Sequence, residues 1–186
     1  LNWEKKKSLI HCYNDTNKSN IKIHGFTMDG NYDAYSSVAN GLEYYNHISV
    51  RRCNGLEVYD MNLLANKSDA LLAEYVDNLK FHHNYTHCGH DGVNGYNINY
   101  AQIYNNEFNC RTNCGARIYN GHTGEIHNNK IYSVGSCGSG IQLQAAAYNI
   151  EIHHNTIFNM YWSGIWCTQH GSTTTASNAN AEIYDN

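Results

Sequence analysis

A six-residue pattern recurs five times in this chain and constrains its fold more than any other feature. Its clearest copy spans residues 150–155, where apolar residues alternate with polar ones and an asparagine closes the pattern. The other copies end at Asn84, Asn106, Asn129 and Asn186, so the pattern returns at a nearly constant step that lengthens toward the end. Self-similarity at a step of about 20 to 50 residues predicts a solenoid in which each copy contributes one turn.

Each turn of this solenoid is predicted to contain three short strands. The alternation before the asparagine is that of a strand with one buried face, and asparagine suits the turn that follows. A second short alternation follows the asparagine, and a third begins at Gly92, Gly115, Gly140 and Gly164, which keep the same step as the asparagines. No helical pattern separates them, and leucine is not at fixed offsets, which argues against a leucine-rich repeat. The pattern predicts an all-β, single-stranded parallel β-helix of about six to seven coils, with the asparagines stacked in a ladder.

The repeats extend over residues 21–186 without an obvious linker, and residues 1–20 lack them. We therefore expect one β-helix domain, with residues 1–20 as a cap or lead-in, taken from a longer chain. The formal net charge of −4 and only 12 Lys and Arg give no electrostatic support for a nucleic-acid partner. No apolar run of about 18 residues is present, so no membrane insertion is expected.

A functional site in a solenoid requires side chains from several turns to converge on one outward strip, and the glycine-led strands offer the best candidate strip. Their outward residues carry amide, aromatic and guanidinium groups. Such groups suit a sugar chain, which presents hydroxyl groups and flat apolar faces. The residues predicted to bind substrate on this strip are Asn94, Tyr96, Arg111, Gln142, Gln144, Trp162 and Trp166. Those predicted to act catalytically are His90, Asp91, Arg117 and Tyr119.

The repeats resemble those of right-handed parallel β-helix proteins in the pectate-lyase-like superfamily. That group holds polysaccharide lyases, glycoside hydrolases, epimerases and many surface proteins. The turns around His87 to Gly92 and the high content of Asn and Tyr are similar to those of surface proteins of methanogenic archaea. These include the disaggregatase type, which degrades a uronate-containing matrix polysaccharide. The resemblance implies a right-handed solenoid, an extracellular or cell-surface location and a polysaccharide partner.

Elimination on a uronate fits the candidate residues better than hydrolysis. Hydrolysis needs two carboxyl groups about 5–9.5 Å apart, and Asp91 is the only acid near the centre of the strip. Elimination needs a cation to neutralise the uronate carboxylate, a base and a proton donor. Arg117 or Arg111 suits the first role, His90 the second, and Tyr119 or Tyr96 the third. We therefore predict an extracellular polysaccharide lyase that acts on an acidic glycan.

Two alternatives remain open from the sequence. One is a non-catalytic carbohydrate-binding or structural cell-surface β-helix protein, and the other is a glycoside hydrolase of the same fold. No cofactor and no metal ligands are predicted; a calcium ion is conceivable but has no motif to support it.

Overall fold

The computed structural model describes residues 7–31, 45–168 and 181–186. These ranges contain sixteen β-strands and no helix, which confirms the all-β class. The strands form two parallel sheets. The larger sheet contains β1 (Lys7–His24), β3 (Tyr45–Tyr59), β5 (Leu71–His82), β7 (Asp91–Tyr104), β9 (Cys114–Tyr119), β10 (His122–His127), β12 (Ser139–Gln144), β13 (Tyr148–His153), β15 (Ser163–Thr168) and β16 (Glu182–Tyr184). The smaller sheet contains β2 (Thr27–Asp29), β4 (Asn62–Asn66), β6 (Tyr85–Cys88), β8 (Glu107–Cys110), β11 (Lys130–Ser133) and β14 (Thr156–Phe158).

Successive turns pair in register, as the repeat predicts. Phe81 pairs with Ile103, Ile103 with Ile126, and Ile126 with Ile152. All four side chains are fully buried, because each inward position stacks on the same position of the next turn. The glycine-led strands add a second buried column that includes Val93, Ala116, Ile118, Ile141 and Leu143. Stacking therefore supplies the apolar burial that no single turn could achieve.

The long strands β3, β5 and β7 each consist of two halves. The first, the glycine-led half, pairs in register with the glycine-led strands, and the second, the template half, pairs in register with the template strands, which carry the six-residue pattern. Two residues with a positive φ lie between or near these halves in each strand: Arg52 and Gly55 (57° and 83°), Tyr75 and Asn78 (55° and 56°), and Asn97 and Tyr100 (54° and 58°). These left-handed residues turn the chain without ending the sheet, so two outward faces meet at a bend. The glycine-led half forms one wall of the solenoid, and the template half forms the next.

The predicted asparagine ladder is present. Asn106 Nδ2 donates hydrogen bonds to Asn129 Oδ1 (3.0 Å) and to the carbonyl oxygen of Phe81 (2.9 Å). Asn106 Oδ1 accepts hydrogen bonds from Asn84 Nδ2 (3.1 Å) and from the Asn84 backbone (3.0 Å). The same pattern continues through Asn155. Each buried amide is thus satisfied by the turns above and below it, which fixes the register from one turn to the next.

Five complete turns run without a gap from Cys53 to Thr168. This is slightly fewer than the six to seven coils expected, because the turns at both ends pass through residues outside the described ranges. Strand β1 begins at Lys7, within the expected cap or lead-in of residues 1–20, and pairs with β3 from Tyr45 onward. Backbone pairing continues there although the sequence repeat does not. None of the described residues forms a helix long and apolar enough to cross a membrane.

Candidate functional site

The outward face of the glycine-led strands carries a band of polar and aromatic side chains, which we call the polar wall. Asn94 pairs in register with Arg117 and Arg117 with Gln142, while Tyr96 pairs with Tyr119 and Tyr119 with Gln144. The strand register therefore places these residues on one face of the solenoid. The polar wall consists of Asn94, Tyr96, Arg117, Tyr119, Gln142, Gln144 and Trp166.

A cluster of four charged side chains lies where the chain enters this wall. His90 Nδ1 is 2.9 Å from Asp69 Oδ1 and 3.3 Å from Asp91 Oδ2. The guanidinium of Arg117 reaches Asp91 Oδ2 from the next turn, at 2.9 Å. Asn94 joins the cluster by donating to Asp69 Oδ2 (2.9 Å) and accepting from Arg117 Nε (3.2 Å). Two negative and two positive groups from three turns thus form one closed network.

Asp91 is the centre of the network and is completely buried. Its Oδ1 accepts hydrogen bonds from Asn113 Nδ2 (2.6 Å), the Cys114 backbone (3.1 Å) and the Cys114 thiol (2.9 Å). Its Oδ2 faces the two cations of the cluster. A buried carboxylate is tolerated only when it is paired and hydrogen-bonded in this way. Asp91 is therefore held rigidly, with one oxygen bound to protein donors and the other paired with charge.

The cluster sets the protonation states of its members. Burial lowers the pKa of His90, but Asp91 and Asp69 outweigh burial and raise it to about 11. Burial raises the pKa of Asp91, but His90 and Arg117 outweigh it and hold that pKa well below its usual range. His90 is thus an imidazolium at neutral pH, and it donates its Nδ1 proton to Asp69. A charged imidazolium cannot accept a proton, so the role of base inferred from the ordinary histidine pKa does not fit this environment.

Several residues of the predicted strip are buried rather than solvent-facing. Asn94, Gln142 and Gln144 are only 4%, 1% and 7% exposed. Neighbouring turns lie about 4.8 Å apart, so an outward side chain of modest length is covered by those above and below it. Gln144 Nε2 donates to Gln142 Oε1 at 3.1 Å, and Gln142 Nε2 lies 3.4 Å from Asn113 Oδ1. These amides line the wall beneath larger side chains.

The larger side chains form the accessible part of the wall. The rings of Tyr96 and Tyr119 are 5.2 Å apart, and the Arg117 guanidinium carbon lies 5.8 Å from the centre of the Tyr96 ring. Farther along, Trp162 is 66% exposed, and its ring is 6.1 Å from that of Trp166 at 83°. Such exposed rings offer flat apolar surfaces beside polar groups.

The structure also places the remaining predicted residue, Arg111, and shows residues that the sequence reasoning missed. Arg111 is half-buried in the turn between β8 and β9, which leads into the wall. Asp69, Asn113 and Cys114 were not predicted as site residues, yet they complete the charged cluster. A signal existed, since Asp69 precedes Asp91 by one step of the repeat and Cys114 follows it by one step.

The same cluster offers donor atoms for a metal ion. One atom each from Asp69, His90 and Asp91 lies within 4.8 Å of the others. Calcium takes about six to eight oxygen ligands, and two carboxylates with one imidazole suit it poorly. Arg117 already neutralises Asp91, and Asn94 already binds Asp69. These contacts describe a self-contained ion-pair network, and the expectation of no cofactor stays an untested prediction.

The family of the chain follows from comparison with known proteins. A family model described as a right-handed β-helix region matches residues 46–183, which covers most of the chain. The chain belongs to the right-handed β-helix family. No curated protein and no solved structure matches it. Membership of the right-handed β-helix family agrees with the parallel solenoid described above and leaves the activity to be argued from the site.

Proposed function

We propose that this right-handed β-helix protein is an extracellular polysaccharide lyase that binds an acidic, uronate-containing glycan on the polar wall and cleaves it by β-elimination. The observation that carries the proposal is the arrangement of Arg117 beside Tyr96 and Tyr119. The guanidinium and the two phenols come from adjacent turns and lie on one face. They combine a carboxylate-binding group with groups that can transfer protons.

The proposed reaction removes the proton at C5 of the uronate and breaks the bond between C4 and its glycosidic oxygen. A double bond forms between C4 and C5, and the leaving oxygen takes up a proton. Negative charge develops on the carboxylate as the C5 proton leaves, and the guanidinium of Arg117 stabilises it. One tyrosine, Tyr96 or Tyr119, acts as a phenolate that accepts the C5 proton, and the phenol formed in this way then protonates the leaving oxygen, which restores the phenolate.

His90 takes a positioning role in this scheme. Its imidazolium is bound to Asp69 and Asp91, and Asp91 in turn holds Arg117. The network therefore fixes the guanidinium beside the tyrosines and does not itself move protons. The exposed ring of Trp162 and the half-buried ring of Trp166 extend the face and provide stacking surfaces for further sugar units.

A second candidate function is glycan binding without cleavage. It is favoured by the mutual pairing of the four charged groups, because Arg117 is already neutralised by a buried carboxylate. A glycan could then be held by the aromatic and amide groups alone. Hydrolysis is less well supported, since it needs a protonated carboxyl group and the pKa of Asp91 is held well below its usual range.

A panel of uronate-containing polysaccharides separates these functions. Each polymer is assayed for the ultraviolet absorbance of unsaturated uronate and, in parallel, for retention of the protein on the immobilised polymer. The Tyr119→Phe and Tyr96→Phe variants are compared with Tyr148→Phe, whose ring stacks on His122 on the template side. For a lyase, at least one of the first two variants loses about 100-fold or more in product formation with retention preserved, and Tyr148→Phe keeps wild-type activity.

Retention without any unsaturated product would overturn the lyase and support glycan binding alone. Release of reducing ends without the ultraviolet signal would instead identify a hydrolase. The absence of both retention and product over the whole panel would contradict a glycan function for the polar wall.

A further inference from the structure

A continuous column of aromatic rings runs along the solenoid away from the polar wall. Each template strand ends in a histidine or a tyrosine, and these rings stack from turn to turn. Neighbouring centroids are 4.4–5.2 Å apart, and no two neighbouring planes differ by more than 11°. We call this column the ring ladder; it consists of His24, Tyr59, His82, Tyr104, His127, His153 and Tyr184.

The residue after each ring has a left-handed backbone, which brings its side chain back toward the ladder. Asparagine, aspartate and glycine are the residues that suit this conformation. Two turns instead carry histidine there, His83 at φ 55° and His154 at φ 54°. The other turns use Gly25, Asp60, Asn105, Asn128 and Asp185.

Both of these histidines meet the ring ladder in the same way. His83 Nδ1 lies 2.8 Å from His82 Nδ1, with the two rings at 87°. His154 Nδ1 lies 2.7 Å from His153 Nδ1, with the rings at 85°. The same contact, with the two Nδ1 atoms at hydrogen-bond distance, is thus built twice, from separate turns.

The surroundings of the first pair orient these nitrogens as ligands. His82 Nε2 lies 3.3 Å from Glu57 Oε1, so the neutral ring carries its proton on Nε2, and the lone pair on its Nδ1 accepts the hydrogen bond from His83 Nδ1. Glu57 is itself held by Lys22 at 2.8 Å. Metal-binding histidines commonly donate their outer nitrogen to a carboxylate in this manner. Asn105 Nδ2 lies 3.3 Å from His83 Nε2. When His83 binds a metal through Nδ1, its proton is on Nε2, and a rotated Asn105 amide would accept a hydrogen bond from that nitrogen through Oδ1.

We propose that each of the pairs His82–His83 and His153–His154 binds one late first-row divalent metal ion, Ni²⁺ or Cu²⁺, through its two Nδ1 atoms. With metal–nitrogen bonds of about 2.0–2.1 Å, the observed separations subtend about 80–90° at the metal. A tetrahedral ion would need the nitrogens about 3.3 Å apart. The near-right angle suits the square-planar or octahedral geometry of Cu²⁺ and Ni²⁺ better than tetrahedral Zn²⁺.

The second histidine of each pair is exposed, so water can complete the coordination. The turn at His127 provides a natural comparison, because the left-handed residue there is Asn128, whose Nδ2 lies 3.0 Å from His127 Nδ1. That turn keeps the ladder ring but lacks the second imidazole. Asparagine at this position is compatible with the fold, and His83→Asn and His154→Asn therefore remove one ligand each without straining the backbone.

The test is a calorimetric Ni²⁺ titration of the untagged protein near neutral pH. Ni²⁺ is chosen because it does not oxidise the exposed thiol of Cys167. The control variant is His122→Asn, which removes a histidine that stacks on Tyr148 outside both pairs. The double variant carries both His83→Asn and His154→Asn. We expect the wild type and the control to bind two more equivalents of Ni²⁺ than the double variant does. Each single variant should bind one more equivalent than the double variant. Zn²⁺ should bind at least about 10-fold more weakly than Ni²⁺.

A further variant, Glu57→Ala, addresses the first pair alone. Loss of the orienting carboxylate should weaken one of the two sites about 10–100-fold and leave the other unchanged. Equal Ni²⁺ stoichiometry in the wild type and the double variant would overturn the proposal. So would an equal loss in the His122→Asn control, which would indicate only general binding by surface histidines.

Discussion

Replacing Asp91 by asparagine removes one charge from the centre of the buried cluster while keeping the shape of the side chain. Asp91 is fully buried and lies 2.9 Å from the Arg117 guanidinium and 3.3 Å from His90 Nδ1. The amide oxygen can still accept a hydrogen bond from the Cys114 backbone, so the perturbation is mainly electrostatic. Arg117 would then be left buried without a carboxylate partner.

Breaking a buried ion pair by removing one partner costs about 3–5 kcal/mol. We expect the low end of that range, about 3 kcal/mol, because Asp69 still pairs with His90. Urea unfolding followed by circular dichroism measures the loss. With a slope of about 2–3 kcal/mol per molar urea, the midpoint should fall by about 1 M or more.

The matched control is Glu107→Gln, which neutralises a carboxylate in an exposed ion pair of the same solenoid. Glu107 lies 3.1 Å from Lys130, and the two side chains are 38% and 51% exposed. Exposed pairs of this kind contribute at most about 1 kcal/mol. If Asp91→Asn lowers the free energy of unfolding no more than Glu107→Gln does, the buried network does not stabilise the fold.

Two further predictions concern the histidine charge and the asparagine ladder. Because the pKa of His90 is raised to about 11 from 6.5, its stabilising effect is fully present below pH 6.5 and is lost as the pH rises toward 11. The wild type should therefore lose up to about 1.4 kcal/mol of stability per pH unit above pH 6.5 relative to His90→Gln, measured by urea unfolding at several pH values, and parallel profiles would contradict this. Asn129→Ala should cost at least about 3 kcal/mol, since it leaves Ile103 O and the Asn106 backbone N–H without their hydrogen bonds. A loss below about 1 kcal/mol in thermal unfolding would show that the ladder is dispensable.

The stacking of equivalent positions could be read from the sequence because it depends only on spacing and alternation. The step between Asn84, Asn106 and Asn129 predicted a ladder that the hydrogen bonds confirm. The buried positions of Phe81 and Ile103 followed from period-2 alternation in the same way. Both inferences hold since a parallel in-register solenoid places every copy of a position over the last.

The chemical character of the site could not be read in the same way. Spacing placed Asp69, His90 and Arg117 on successive turns, but it did not indicate that the Asp69 carboxylate lies 2.9 Å from His90 Nδ1. Asp91 and Asp69 together outweigh burial, raise the pKa of His90 and convert it from a candidate base into an imidazolium. Similarly, two adjacent histidines in the sequence do not reveal that a left-handed backbone at His83 turns its ring toward His82.

The amino-acid sequence by itself determined the solenoid, its buried columns and the face on which polar groups gather, because those depend on periodicity along one dimension. The tertiary structure alone decided which charges neutralise one another and which side chains are covered. Those outcomes depend on distances of about 3 Å between atoms of different turns, and on how far each group is removed from water. Both quantities exist only once the turns have packed.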